Sequence, residues 1–137
     1  MSDLNLKLAL INQLLTVVSE DDCAFENKNF DASNKALWYS VFIIPATEES
    51  TGKQFNADQT KRGLIQISVN IPLDLSTYES TLYSGIELVR SAFRFNQQLD
   101  YNGQLITISE SSVNNGIESG AWYKRDISIN YLTTEKG

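Results

Sequence analysis

The sequence contains no histidine, and that absence excludes the Ser-His-Asp and Cys-His arrangements of nucleophilic catalysis and most zinc sites. Cysteine is almost as scarce. Cys23 stands alone, so no intrachain disulfide can form and a reducing compartment is the simpler home. Glu20, Asp21 and Asp22 precede it and disfavour a thiolate, which makes Cys23 a small apolar filler and not a nucleophile. The same acidic run reads as solvated charge after a helix and not as a cation site. No apolar stretch approaches the roughly 18 residues that a membrane-spanning helix needs, and Asp3 spoils the basic start of a signal peptide. Glycine-rich phosphate loops, dinucleotide fingerprints and calcium-loop spacings are missing too. The residues nominate no catalytic, cofactor-binding or metal-binding set.

Basic residues are in the minority, eleven against seventeen acids, and the net charge of −6 repels phosphate backbones and anionic lipid. The largest basic groupings are Lys61-Arg62 and Lys124-Arg125, with Arg90 and Arg94 one helical turn apart. They read as ordinary solvated charge, so neither specific nucleic-acid binding nor membrane binding is expected. Trp38, Tyr39, Trp122 and Tyr123 lie in runs with strand periodicity and read as core or interface packing rather than as base-stacking platforms.

What is present is an ordinary globular composition. With 137 residues, 42% of them apolar, the chain can build one core, and residues 1–137 read as a single domain. Leu4, Leu8, Ile11, Leu15 and Val18, widened by Leu14, predict an amphipathic helix over 3–19. Phe25 and Phe30 anchor the irregular chain that follows. "LWYSVFIIP" predicts a strand with both faces partly covered, closing on Pro45. Residues 46–62 lack periodicity and read as a long polar loop, of the kind that carries function. In "GLIQISVNIP", residues 63–72, Ile65, Ile67, Val69 and Ile71 alternate with Gln66, Ser68 and Asn70. That pattern predicts a second strand with one apolar face and one polar face free of charge.

Ser76 and Glu79 form a capping box, and Tyr78, Leu82, Ile86, Val89 and Phe93 give the helix it opens a buried stripe ending near Asn96. Asn102-Gly103 inside "LDYNGQLITIS" marks a tight hairpin, "SSVNNGIESG" a looser turn, and "AWYKRDISINYL" a last alternating strand. The expected fold is α+β: a four-stranded, mostly antiparallel or mixed sheet packed against two helices, in the order helix-strand-strand-helix-strand-strand.

"FENKNF" at 25–30, "WYSVFIIPA" at 38–46, "RGLIQISVNIP" at 62–72, a helix ending "SAF" and the closing "WYKRDISINY" resemble, in order and spacing, the tail terminator-like proteins of tailed bacteriophages. One departure is visible, since Asp31-Ala32 follows Phe30 where that family often carries a proline. The resemblance implies a non-enzymatic virion protein assembled in the host cytoplasm as a homo-oligomeric ring, commonly a hexamer, at the head-proximal end of the tail. Its partners would be the tail tube protein and a head connector or neck protein, with DNA passing through the channel. No cofactor is implied.

Within that setting the candidate assembly contacts are Glu48, Glu49, Lys53, Phe55 and Asp58 in the long loop, and Gln66, Ser68 and Asn70 on the uncharged strand face. An uncharged polar face can be covered at low desolvation cost; a plain solvated sheet face explains the same residues. A head-to-tail joining protein, a small-ligand binding module and a small enzyme stay open as alternatives.

Overall fold

The computed structural model describes residues 3–25, 30–31, 35, 37–50, 59–73, 78–101, 104–114, 116–119 and 122–135. Among these described residues two helices, α1 (Asp3–Leu14) and α2 (Tyr78–Ala92), accompany seven strands. These are β1 (Cys23–Phe25), β2 (Trp38–Ser50), β3 (Gln59–Pro72), β4 (Gln98–Tyr101), β5 (Gln104–Val113), β6 (Ile117–Ser119) and β7 (Trp122–Glu135). One 3₁₀ turn, Glu20–Asp22, lies between α1 and β1. The strands form one mixed sheet in the order β1-β2-β3-β7-β5-β4, with β6 pairing β7 off that path. Among the described residues the β1–β2 pair is parallel and the other five strand pairs are antiparallel.

The expected four-stranded sheet in the order helix-strand-strand-helix-strand-strand is therefore overturned. Two strands, β1 and β6, have three residues each, too few for any periodicity, and exist through their pairing with β2 and β7. β4 and β5 pair antiparallel from Tyr101↔Gln104 onwards, so that region contributes two strands, and the Asn102-Gly103 turn expected between them lies outside the described residues. The last strand of the chain sits in the middle of the sheet, between β3 and β5.

The long loop expected over 46–62 is also corrected at both ends, residues 51–58 lying outside the described ones. Beyond an irregularity between Ile44 and Thr47, β2 continues to Ser50 and pairs with β3 as Thr47↔Arg62, Glu48↔Lys61, Glu49↔Thr60 and Ser50↔Gln59. Backbone pairing needs no apolar side chains, so a polar strand leaves no hydrophobic signal.

The core lies between the helices and one sheet face. Ile65, Ile67, Val69 and Ile71 on β3, Ile106 and Ile108 on β5, and Ile127, Ile129 and Tyr131 on β7 are almost wholly buried. Each such aliphatic side chain contributes about 1.5–3 kcal/mol when removed from water. Leu82, Ile86, Val89 and Phe93 turn inward from α2 as the stripe predicts, and Gly85 lets α2 descend onto Leu37 and Val69.

The phase and length of α1 differ from expectation. It stops at Leu14 in a series of turns, with Leu15 N–H bonded to Ile11 O and Thr16 N–H to Gln13 O, and its buried face is Leu6, Ala9, Leu10 and Leu14. Leu8, Ile11, Leu15 and Val18 are only half-buried. Leucine at 4, 6, 8 and 10 makes two helix faces almost equally apolar, so packing chose between them. Gln13 Nε2 then donates to the Ala92 carbonyl at 2.7 Å, tying α1 to the end of α2.

Candidate assembly surface

Residues of β3 that point away from the helices are those of the uncharged alternation. Their neighbours follow from the register: Asn70 lies between Trp38 and Lys124, Ser68 between Ser40 and Asp126, Gln66 between Phe42 and Ser128, and Leu64 between Ile44 and Asn130. On β5 the same face continues through Ser112 and Glu110.

Ser68 and Asn70 are each only 3% exposed within the single chain. Burial without partners would cost each of them roughly 1–3 kcal/mol, and both are satisfied. The Ser68 hydroxyl donates to Asp126 Oδ1 at 2.5 Å, a charge-assisted bond. Asn70 Nδ2 donates to Ser40 Oγ and the Ser68 carbonyl, each at 3.1 Å, and to the Trp38 carbonyl at 3.4 Å. Beside this network Trp38 packs on Phe30, with centroids 5.2 Å apart, and edge-on to Trp122 at 5.7 Å. Gln66 is half-buried, so among these three it alone keeps appreciable surface for a partner.

Next to the polar patch runs an apolar one that the sequence did not reveal. Phe42 and Ile44 on β2 are 50% and 46% exposed, Leu105 on β5 is 44% exposed, and half-buried Leu64 and Leu132 lie between them. Register places these five on one diagonal across β2, β3, β7 and β5, on the face without helices. Exposed apolar side chains that line up in this way mark contact sites. "LWYSVFIIP" is apolar at nearly every position, so alternation could not say which side chains stay outside.

Among the loop candidates, Glu48 and Glu49 fall on β2, opposite Lys61 and Thr60. Lys53, Phe55 and Asp58 lie outside the described residues. The structure thus brings Gln66, Ser68 and Asn70 together and places the backbone of Glu48 and Glu49 further along the same β2–β3 ladder.

Cys23 is 5% exposed, and its thiol is pushed up to about 12 by burial and by the charges of Asp22 and Glu20. Burial, then Cys23 and Asp22, raises the Tyr39 phenol to about 12 as well. Neither group is poised for chemistry near neutral pH. Of the basic pairs, Lys124-Arg125 departs from plain solvated charge: Arg125 is half-buried, donates from Nη1 to Tyr83 Oη at 3.2 Å and lies 5.7 Å from that ring's centroid.

The open sheet face of this α+β fold thus carries the hydrogen-bonded Ser68 and Asn70 beside an apolar diagonal, while Trp38 Nε1 and Arg125 Nε are buried without a hydrogen-bond partner among the described residues. The chain belongs to the phage tail terminator protein family, whose model matches residues 5–131. It is accordingly a structural component of a phage virion, and its associations are with other virion proteins. Solved structures that share its fold include two that cover nearly the whole chain. One is 16% identical with a TM-score of 0.71, over 97% of this chain and 96% of the other. The second, from the virion of a native gene transfer agent particle, is 12% identical with a TM-score of 0.61, over 98% and 97% of the two chains. Among curated proteins none matches the sequence.

Proposed function

We propose that the protein terminates the tail: copies assemble into a ring, most simply a hexamer, that caps the head-proximal end of the tail tube. The ring stops elongation and offers the surface on which the head connector or neck protein docks. Membership of the tail terminator family over nearly the whole chain is the observation that carries this reading.

The surfaces fit the role. The apolar diagonal through Phe42, Ile44, Leu64, Leu132 and Leu105, with Gln66 beside it, supplies area that a neighbour can cover at little desolvation cost. Six copies at −6 each carry about −36, and an acidic channel lets DNA pass without sticking. The test is to polymerise purified tube subunits with and without this protein. Tubes of limited length, bearing the protein at one end and able to join heads, are expected. Unrestricted growth in its presence, with the protein instead bound to the isolated connector, would replace this reading with that of a head-to-tail joining protein.

A further inference from the structure

We propose that the groove between α2 and the segment joining α1 to β1 receives Phe95 of a second copy of this chain. This head-to-tail contact deepens the ring reading above by naming the surfaces through which copies join.

The groove measures about 490 Å³, and its apolar lining includes Val17, Val18, Leu37, Tyr39 and Leu88. Gly85 is part of its wall, where α2 approaches Leu37 and Val69 too closely for a Cβ. Leu88 is 44% exposed at the groove, an apolar surface awaiting cover. At the far end of α2 the chain presents the matching knob. Phe93 turns into the core at 1% exposure, while Phe95 points outward at 73%. Its position is held from both sides: Asn96 adopts a left-handed backbone (φ 62), Asn96 N–H bonds to Ile108 O at 2.8 Å, and Gln97 N–H bonds to Arg94 O at 2.9 Å. An aromatic side chain on a fixed backbone loses little conformational entropy on docking.

Charge selects this occupant. Near the groove the exposed Asp21 lies on the 3₁₀ turn and exposed Glu87 lies next to Leu88, and Asp22 in the lining pairs with Lys35 at 2.9 Å. Phe95 is flanked by the exposed Arg94 and Arg90. Two copies that are each acidic overall therefore meet here through opposite local charge, which also fixes their orientation. Within one chain Phe95 lies away from the groove, because it follows the end of α2 at Ala92 and Ser84 to Ala92 alone spans about 12 Å along the helix. Repeated between copies, a knob on one end of α2 and a hole near the other make a heterologous interface, which propagates and closes when its rotation allows.

Cysteines beside the knob and at the hole test the geometry in solution without any tube. A chain that keeps Phe95 and carries Gln98→Cys, at an exposed position three residues beyond it, together with Ser84→Cys, treated with a short bis-maleimide, is expected to give a ladder of successive multiples of the subunit mass. An equimolar mixture of the two single variants is expected to give their mixed dimer and nothing larger. A double variant that stops at the dimer, or does not cross-link at all, overturns the proposal. Phe95→Asp changes an exposed side chain, so it should melt with the parent while self-associating at least tenfold more weakly by sedimentation. If Phe95→Asp keeps the parental mass at every concentration, the contact is wrong. Failure of the contact with normal tube capping by Phe95→Asp leaves the terminator reading standing; a ladder from a chain that caps no tubes leaves the contact standing alone.

Discussion

Gly63 and Tyr131 stand directly opposite each other in the β3–β7 ladder, with the Tyr131 ring lying across Gly63 so closely that no Cβ fits there. The Tyr131 hydroxyl reaches on to the Ile44 carbonyl at 3.5 Å, next to the irregularity in β2. Gly63→Ala should displace a ring that is 99% buried and cost about 1–3 kcal/mol, as overpacking does. Urea denaturation checks it; a variant as stable as the parent would mean that the ring has room to move.

Placing a carboxylate on the buried stripe of α2 should abolish folding. Ile86 is 4% exposed and Val89 fully buried, so Ile86→Asp or Val89→Asp places an unpaired charge in the core at a cost of several kcal/mol. Total stabilities of about 5–15 kcal/mol leave little margin. Loss of the cooperative melt by circular dichroism is expected.

Alkaline pH should destabilise the protein in part through Cys23 and Tyr39. Both folded-state values are raised to about 12, from ordinary values of 9.0 and 10.0, so the unfolded chain gives up these protons first. Their contribution is intact below pH 9 and is lost as pH climbs from 9 towards 12. A Cys23→Ala variant should show a shallower fall over that window. The native thiol should also resist aromatic disulfide reagents at pH 8 until the chain is unfolded.

Phe42→Ser and Ile44→Ser alter side chains that are about half exposed, so each should shift stability by no more than about 0.5–1 kcal/mol. If the apolar diagonal is covered on assembly, the pair should reduce incorporation into tails severalfold, measured by co-purification with tube subunits. Normal incorporation would remove the diagonal from the interface.

Replacing residues 51–58 by Asn-Gly should leave the melting temperature nearly unchanged, since loop closure entropy varies slowly with length. The pairing Ser50↔Gln59 sets the junction where a two-residue turn fits. Tail length with and without the shortened protein tests whether Lys53, Phe55 and Asp58 contribute to capping. Normal capping by the shortened chain would place the tube contact elsewhere.

Where a stretch of sequence carried one dominant periodicity, it determined its own role. Leu82, Ile86, Val89 and Phe93 could face only one way on a helix, and Ile65, Ile67, Val69 and Ile71 only one way on a strand; all eight are buried. The acidic neighbours of Cys23 already argued in the sequence against a thiolate there, and burial adds to the same upward shift. Tertiary structure decided whatever local pattern left degenerate. Which face of α1 was buried depended on packing because leucine recurs at every second position. The strands Cys23–Phe25 and Ile117–Ser119 and the polar ends of β2, β3 and β7 depended on backbone pairing, which is blind to side-chain polarity. The same holds for the surface. Sequence marked Gln66, Ser68 and Asn70 as an uncharged face, but only the fold could bury two of them within the chain and leave Phe42, Ile44 and Phe95 outside, because exposure follows from which strands and helices become neighbours in space.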